Sequence, residues 1–394
     1  MTPLPAVLLC PHGAQRVAAG HPWIYRAAIE RLTRPATTGD WVQVKDHRNR
    51  FLGCGFYNET SKIAVRLIAD ERVAPDESFF TQRIRAARDL RERLLPGATT
   101  CRVVNSEADF LSGLIVDRYE SCLVIQITSA GMERCKPAIL AALRTIFTPE
   151  AIVERGDTAA RQFEGLPPST GIIEGILSPS LTVRLGGMTF LADVLGGHKT
   201  GAYLDQQVNH ALVARHCRGA RVLDCFTFQG GFAIHAAAAG ALKVSALDQS
   251  AAALAGAAAN AKLNSVEARC EFEQANVFEW LKAAPSQAGS FDVIILDPPS
   301  FTRNRAAVAD ALRGYKEIHL RALRLLAPGG LLATFCCSHH VDGALFMEVI
   351  LDAARDARRT LRLRETYTQS PDHPILPAIP ETQYLKGFAL EVVR

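Results

Sequence analysis

Two adjacent cysteines stand where an apolar segment gives way to polar residues. The stretch GGLLATFCCSHH, residues 329–340, leads through small and apolar residues to Cys336 and Cys337 and then to a serine and two histidines. A thiolate is a strong nucleophile and a metal ligand. Vicinal cysteines do not readily bridge each other, and the ten cysteines include no C-x-x-C pair, so neither zinc spacing nor a disulfide framework is visible. The thiols are therefore either inert and buried, as free cysteines usually are, or nucleophilic.

A carboxylate followed by two prolines ends another predicted strand. In FDVIILDPPSFTRN, residues 291–304, Asp297 is followed by Pro298 and Pro299. The two prolines stiffen the loop and remove two backbone donors, which places the carboxylate of Asp297 where it can face the exocyclic amine and ring nitrogen of a base. A D-P-P-x-[FY] loop after the fourth strand of an α/β domain is fairly specific for methyltransferases that act on nucleobases. It does not indicate which base.

Three more segments could form a cofactor site. Asp224 ends the apolar stretch ARVLDCF, and Gly230 and Gly231 allow a ligand to approach the backbone where a helix begins. Asp248 ends KVSALD, 24 residues after Asp224, where a carboxylate can accept hydrogen bonds from both ribose hydroxyls. Asn276 follows the next strand and offers an amide to the edge of an adenine.

The pattern favours S-adenosylmethionine over a dinucleotide. The G-x-G-x-x-G motif is absent, because the sequence at this turn reads Phe-Gln-Gly-Gly-Phe. Asp224 would repel a pyrophosphate but suits a ligand with an amine, such as the methionine part of S-adenosylmethionine. The alternative is an α/β domain with incidental aspartates, in which the glycines form a tight turn and Asn276 caps a helix.

A parallel sheet would bring these residues together. From about residue 193 onward, continuous apolar strands alternate with helices, which indicates a doubly wound α/β domain with helices on both faces. In such a sheet the ligand lies beyond the carboxyl ends of the strands, where the strand order switches. The sequence therefore predicts a Rossmann-like domain over residues 193–394.

The rest of the chain predicts two smaller domains. In residues 1–72, GDWVQVKD and KIAVRLIA alternate apolar and polar residues, which indicates a small β domain. An amphipathic helix follows, with Asp76 at its N-cap and a Pro-Gly stop at residues 96–97. Further strand and helix patterns predict an α+β domain over residues 73–192.

Composition restricts the class of protein. The 394 residues are 48% hydrophobic and 21% charged, as in soluble globular proteins. Residues 1–72 hold ten lysines and arginines against six acids, which fits either a surface that faces phosphates or a solvated basic face. We find no signal-peptide pattern, and the alanine-rich stretch 233–261 is interrupted by Lys243 and Asp248, so we expect no membrane span. Scattered cysteines favour a reducing compartment, and we expect a cytoplasmic protein.

The chain resembles the bacterial RlmI-like cytosine-5 methyltransferases of large-subunit ribosomal RNA. The stretches that carry the resemblance are HPWIYRAAI (21–29), GHKTGAYLDQQ (197–207), CFTFQGGFA, DPPSF, RGYKEIHLRAL (313–323), TFCCS and DHPILPAIPETQYLKGFA (372–389). Together they span essentially the whole chain. The resemblance implies an N-terminal PUA-like RNA-binding domain, S-adenosylmethionine as cofactor, 23S rRNA as substrate, no metal, and a homodimer.

The resemblance also implies roles for individual residues. The family pattern Ser-Cys-Ser aligns Cys337 with a thiol that adds to carbon-6 of cytosine and so activates carbon-5, while Asp297 steadies the ring. Related RNA enzymes carry a second cysteine, thought to assist product release, where this chain has Ser300, and Asn276 replaces a common Asp. The residues implied near the cofactor or the base are Lys199, Tyr203, Asp205, Gln206, Asp224, Phe226, Gly230, Gly231, Asp248, Asn276, Asp297 and Pro298.

Three other functions stay open on the sequence. An rRNA guanine methyltransferase would carry similar glycine-rich and D-P-P motifs but would need no thiol. A non-catalytic RNA-binding factor in ribosome assembly could keep a cofactor pocket. A methyltransferase of small molecules would leave the N-terminal domain without a role.

Overall fold

A computed structural model describes residues 4–178, 180–284, 289–302 and 305–393. Within these ranges the strands form sheets of six, five, two and seven strands. The chain divides into two compact units, one of residues 1–183, 192–204 and 371–382 and the other of residues 184–191, 205–370 and 383–394. These units differ from the three predicted domains, whose boundaries stay a prediction.

The first sheet of the first unit has the strand order β2-β6-β5-β4-β1-β3, in which only the pair β1–β4 is parallel. Its elements are β1 Ala6–Leu9, α1 Pro11–Ala18, β2 Trp23–Tyr25, β3 Ile29–Leu32, β4 Trp41–Lys45, β5 Phe51–Tyr57 and β6 Ile63–Ala69. The alternating stretches predicted as strands form β4 and β6. Their inward residues, among them Val42, Val44 and Val65, are buried in one apolar core, so the predicted strands are confirmed as parts of one sheet.

The second sheet of this unit has the order β11-β10-β9-β8-β7 and packs against α2. Its elements are α2 Glu77–Leu94, β7 Thr100–Asn105, β8 Leu114–Tyr119, β9 Cys122–Ile127, α3 Ala130–Arg134, α4 Lys136–Phe147, β10 Ala151–Arg155, α5 Ala159–Phe163 and β11 Thr170–Gly175. The predicted N-cap is confirmed, because Asp76 accepts a hydrogen bond from Phe79 N at 3.0 Å.

A two-stranded hairpin, β12 Leu181–Leu185 and β13 Met188–Ala192, follows. Gly186 and Gly187 form its turn with φ values of 57° and 89°. A two-residue hairpin turn of this kind needs positive φ at both positions, which glycine adopts without steric cost.

The second unit contains the seven-stranded sheet, in the order β16-β15-β14-β17-β18-β20-β19. Its elements are α6 Gln207–Ala214, β14 Arg221–Cys225, α7 Gly231–Ala238, β15 Lys243–Asp248, α8 Ala251–Leu263, β16 Cys270–Gln274, α9 Val277–Ala283, β17 Phe291–Leu296, α10 Val308–Leu325, β18 Leu326–Cys336, α11 Gly343–Asp356, β19 Leu361–Thr368 and β20 Lys386–Val392. The first five strands pair in parallel, as predicted. The prediction did not include β19 and β20, and β20 runs antiparallel to β18.

The strand order fixes where a ligand site can form. β14 lies between β15, the next strand in the chain, and β17, the third strand after it, so the order reverses at the β14–β17 pair. The carboxyl ends of these two strands are adjacent, with Cys225 paired to Leu296. No helix among the described residues is both long and apolar enough to span a bilayer.

Candidate active site

The predicted site residues of three strands converge at the switch in strand order. Asp224 lies at the carboxyl end of β14, and Asp297 directly follows β17. β18 is the next strand, with Leu296 paired to Thr334, and Cys337 directly follows it. The sheet thus carries a carboxylate and a thiol from neighbouring strands to one edge, where α/β domains bind their ligands.

The loop between β14 and α7 is held in an unusual backbone conformation. Phe226, Phe228 and Gly230 have φ values of 64°, 49° and 85°, in the left-handed region that residues other than glycine rarely adopt. The loop is fixed by hydrogen bonds from Thr227 N to the carbonyl of Leu247 and from Phe228 N to Asp248 Oδ2, both 2.9 Å. Backbone strain that is held in this way is typical of binding sites.

Asp224 is fully buried beneath this loop. Its Oδ2 accepts hydrogen bonds from Thr227 Oγ1 at 2.6 Å and from Ala233 N at 3.0 Å, whereas its Oδ1 is buried without a hydrogen-bond partner. Burial raises the pKa of Asp224 to about 7, and the nearby carboxylates of Asp297 and Asp248 act in the same direction. The side chain of Asp224 therefore holds the loop in place through these hydrogen bonds. A cation near its free oxygen would stabilise the ionised carboxylate.

The raised pKa of Asp224 predicts that the protein loses stability as the pH rises. The pKa of an ordinary aspartate carboxyl is 3.8 and that of Asp224 in the folded protein is about 7, so the free energy of unfolding should fall between about pH 4 and pH 7 and then stay level. One pKa unit corresponds to about 1.4 kcal/mol, which limits the fall to about 4 kcal/mol. Urea unfolding at pH 5, 6, 7 and 8 measures it. Asp224→Asn, which keeps an acceptor for Thr227 and Ala233, should flatten this dependence, and an unchanged dependence in that variant would contradict the assignment.

The two glycines of the loop are required by backbone geometry and packing. Gly230 has a positive φ, and a Cβ at Gly231 would lie 2.6 Å from the ring of His210. His210 is itself buried, and burial lowers its pKa well below the ordinary range. The approach of a ligand to these glycines stays a prediction.

Asp248 and Asn276 both hold backbone N–H groups. Asp248 is half-buried, and its Oδ1 accepts from Ser250 N at 2.9 Å while its Oδ2 accepts from Phe228. Each carboxylate oxygen can accept a second hydrogen bond, so binding to ribose hydroxyls stays a prediction. Asn276 is exposed and caps α9 through its Oδ1, which accepts from Phe278 N at 3.0 Å. Its Nδ2 is not used by this cap, and contact with adenine stays a prediction.

The side chain of Gln206 forms a hydrogen bond with the carboxylate of Asp297. The Nε2 of this buried glutamine donates to Asp297 Oδ2 at 3.0 Å. Its Oε1 accepts from Asn209 Nδ2 at 2.6 Å, and Asn209 also donates to the carbonyl of Thr368 at 2.9 Å. Asp297 is half-buried and Pro298 is buried, so one oxygen of the carboxylate is oriented by a chain of buried amides.

The remaining predicted residues divide between the two units. Asp205, in the second unit, is buried, and its Oδ2 accepts from Tyr384 Oη at 2.8 Å. Lys199 and Tyr203 belong to the first unit, where Lys199 Nζ lies 4.2 Å from the centroid of the Tyr203 ring. Their segment is anchored there by the fully buried Thr200, whose hydroxyl donates to Asp117 Oδ2 at 2.5 Å. Contact of Lys199 and Tyr203 with a ligand stays a prediction.

The two cysteines have different environments. Cys336 ends β18, is fully buried in the apolar core, and donates from its thiol to Tyr315 Oη at 3.3 Å. Cys337 follows the strand and is only half-buried. A nucleophile must be reachable by its substrate, so the exposure favours Cys337.

A hydrogen bond joins the loops that follow β17 and β18. The hydroxyls of Thr302 and Ser338, both buried, lie 2.5 Å apart. Burial raises the pKa of Tyr315, and the charges of Cys336, Cys337 and Asp297 raise it further. Cys337 and Asp297 are therefore both close enough to the buried phenol of Tyr315 to act on its charge.

Sequence reasoning did not assign roles to Tyr315, Tyr384 or Lys386. Tyr315 and Lys386 lie in the stretches RGYKEIHLRAL and DHPILPAIPETQYLKGFA, which carried the resemblance as whole motifs. Among the described residues, no group of three or more histidines, cysteines, aspartates or glutamates is placed to hold a metal ion.

Two family models match the chain. Residues 7–70 match a PUA-like domain, and residues 173–386, more than half of the chain, match an S-adenosylmethionine-dependent methyltransferase. The residues at the switch fit this cofactor, because a buried carboxylate oxygen of Asp224 without a partner can pair with its ammonium group and Asp248 retains acceptor capacity for a ribose.

Relatives and solved structures agree with the models. The proteins named ribosomal RNA large subunit methyltransferase I from Salmonella arizonae and Salmonella typhi are each 39% identical over 378 residues, 95% of this chain and 94% of theirs. A SAM-dependent methyltransferase from Streptococcus mutans has the same fold, with a TM-score of 0.83 at 19% identity over 98% of this chain and 100% of that one. The structure of the methyltransferase SMU.776 complexed with SAH has a TM-score of 0.84 to this chain at 20% identity, and it covers 98% of this chain and 100% of that one.

The fold, the site at the strand switch and these relatives lead to one family. The predicted PUA-like and Rossmann-like methyltransferase domains are confirmed, and so is the cofactor S-adenosylmethionine. The chain belongs to the S-adenosylmethionine-dependent methyltransferases, in the family of the ribosomal RNA large subunit methyltransferase I proteins.

Proposed function

We propose that this protein methylates carbon-5 of a cytidine in 23S rRNA through a transient bond between Cys337 and the base. The observation that carries the proposal is the half-buried thiol of Cys337 at the end of β18, linked through Thr302 and Ser338 to the loop of Asp297. The relatives named ribosomal RNA large subunit methyltransferase I support the substrate class.

The thiolate supplies the reactivity that cytosine lacks. Cys337 Sγ adds to carbon-6, and the electron pair of the C5–C6 double bond makes carbon-5 nucleophilic while Asp297 holds the amine and ring nitrogen of the base. S-adenosylmethionine, when bound, would supply an electrophilic methyl group for carbon-5, and its sulfur would keep the electron pair of the broken sulfur–methyl bond and leave as S-adenosylhomocysteine. The proton on carbon-5 then leaves to water, its bonding pair restores the double bond, and the C6–S bond breaks to release the thiolate. The chain has Ser300 where related enzymes carry a second cysteine, and Ser300 Oγ donates to the carbonyl of Thr302 at 3.0 Å.

The N-terminal sheet gives the RNA a second point of contact. Its PUA-like match covers residues 7–70, where basic residues outnumber acidic ones. Such a domain would bind structured RNA through its shape and phosphates, and the target base would leave its stack to reach the thiol. The cytoplasmic localisation expected from the sequence and the homodimer implied by the resemblance both stay predictions.

Trapping with 5-fluorocytidine tests this chemistry. Fluorine on carbon-5 cannot leave as a proton does, so the C6–S bond should persist after methyl uptake. We expect large-subunit rRNA that contains 5-fluorocytidine to form an adduct that survives denaturing electrophoresis, with the cross-linked peptide containing Cys337. Cys336→Ala should still form the adduct and Cys337→Ser should not. Active enzyme that yields no adduct, or a cross-link to another residue, would contradict the proposal.

A methyl-transfer assay on ordinary rRNA separates the other functions. With radiolabelled S-adenosylmethionine and unmodified rRNA, label in a guanine would indicate a guanine methyltransferase. Intact cofactor binding without any label in RNA would favour a binding role in assembly. Mapping the modified nucleotide in rRNA from a deletion strain identifies the target.

A further inference from the structure

Lys386 lies directly beside the segment that carries Cys337. It is the first residue of β20, and the antiparallel register pairs it with Cys336. Its Nζ donates to the carbonyl of Ser338 at 2.5 Å and to the carbonyl of Tyr384 at 2.9 Å. Lys386 is thus tied to the residues on both sides of Cys337, through its backbone by strand pairing with Cys336 and through its ammonium by the hydrogen bond to Ser338.

No carboxylate in the part of the chain that the structure describes contacts the ammonium of Lys386. Among the described residues, Lys386 forms no ion pair, and the third N–H of its ammonium has no hydrogen-bond acceptor. The side chain is half-buried, and burial lowers its pKa, while Cys336, Cys337 and Asp342 oppose this. A partly desolvated cation of this kind is stabilised by an anion nearby.

Cys337 is placed to be that anion. Cys336 is fully buried, and its thiol is occupied by Tyr315. Asp342 caps α11 through Oδ1, which accepts from Leu345 N at 2.9 Å. Within the described residues, the titratable and charged groups around Lys386 and Cys337 include Cys336, Tyr315, Asp297, Asp342, His339 and Tyr384.

We propose that Lys386 is the positioning residue of the nucleophile: its ammonium holds the backbone after Cys337 and favours the thiolate over the thiol. The role rests on the proposed function, because it matters for catalysis only if Cys337 attacks the base. A lysine next to a cysteine is an established way to increase the thiolate fraction at neutral pH.

Alkylation of the wild-type protein tests the thiolate directly. Iodoacetamide reacts with the thiolate, so the rate of alkylation of the Cys337 peptide, followed by mass spectrometry from pH 5 to pH 10, gives the pH at which half of the thiol is ionised. A free cysteine ionises at about pH 8.5. We expect a midpoint about one unit below that value, without RNA or cofactor. A midpoint at or above about 8.5 overturns the proposal and needs no variant.

Two substitutions separate charge from packing. Lys386→Met keeps the length of the side chain but removes its charge, and should raise the midpoint by about one unit, which lowers the alkylation rate at pH 7 about tenfold. Lys386→Arg keeps the charge and should stay near the wild type. Thermal unfolding and S-adenosylmethionine binding confirm that both variants are folded. A folded Lys386→Met protein with the wild-type midpoint overturns the proposal.

Methyl transfer adds a readout that a purely structural role would not change. The kcat of Lys386→Met should be about tenfold lower at pH 7 and approach the wild type near pH 9, with an unchanged KM for RNA. A loss of kcat equal at both pH values overturns the proposal.

Failure of the proposed function would give a different result from failure of the proposal for Lys386. If the covalent mechanism is wrong, the Cys337→Ala variant would still methylate RNA, whatever pH midpoints the alkylation experiments give.

Discussion

Cys337→Ala is expected to abolish methyl transfer to rRNA, by at least about 10⁴-fold in kcat. The loss follows from the chemistry of the base, since carbon-5 of cytosine has little nucleophilicity until a thiolate adds to carbon-6. Alanine removes one sulfur from a half-buried position and leaves the loop between β14 and α7 intact, so the affinity for S-adenosylmethionine should stay within twofold. Single-turnover transfer of radiolabel and equilibrium cofactor binding measure the two quantities separately.

Cys336→Ala is the matched control, because it removes the same atom from the preceding residue. Cys336 is fully buried and its thiol donates to Tyr315, so this variant should lose about 1–2 kcal/mol of unfolding free energy and keep most of its activity. Full activity in Cys337→Ala, or equal losses in both variants at equal stability, would remove the covalent mechanism.

The difference between the two cysteines could be predicted from the sequence. Successive side chains of a strand point to opposite faces, and the resemblance aligned Cys337 with the reactive thiol. The positions of Asp224, Asp248 and Asp297 were predictable for a related reason: the carboxyl ends of parallel strands meet at one edge of the sheet. In both cases the information is local in the sequence.

The support around these residues could not be predicted in the same way. Tyr384 and Lys386 reach the site because β20 pairs antiparallel with β18, and periodicity does not reveal which distant strands pair. Tyr315 lies on the buried face of α10, where its apolar neighbours indicate only a core position. For Asn276 the sequence left two roles open, contact with adenine and capping of a helix. Its contacts in the structure are those of a helix cap.

The network around Gln206 bears on the proposed role of the Asp297 carboxylate. Gln206 donates to one oxygen of Asp297 and is itself held by Asn209. Holding the amide side chains of Gln206 and Asn209 in one arrangement costs conformational entropy. This cost is offset if the carboxylate that they orient makes a directional contact with a ligand. An oriented carboxylate can accept from the exocyclic amine of cytosine while its charge favours a protonated ring nitrogen.

Asp297→Asn is therefore expected to lower kcat about 10³-fold. The amide keeps the size of the side chain, but it has no charge and presents N–H donors where the base also presents donors. Adduct formation with 5-fluorocytidine RNA should fall in parallel, because addition of the thiol depends on the same contact. The affinity for S-adenosylmethionine should fall less than tenfold, as measured by equilibrium binding.

The control for this variant lies on the same strand. Asp292, near the start of β17, forms a half-exposed ion pair with Arg221 at 2.9 Å, far along the strand from the site, so Asp292→Asn should keep wild-type kcat. If Asp297→Asn lost activity only through weaker cofactor binding, with kcat restored at saturating S-adenosylmethionine, Asp297 would be a cofactor ligand without a role in the chemistry. If instead kcat stays low at saturation while the adduct is lost, the carboxylate acts on the base, and the geometry set by Gln206 has a catalytic purpose.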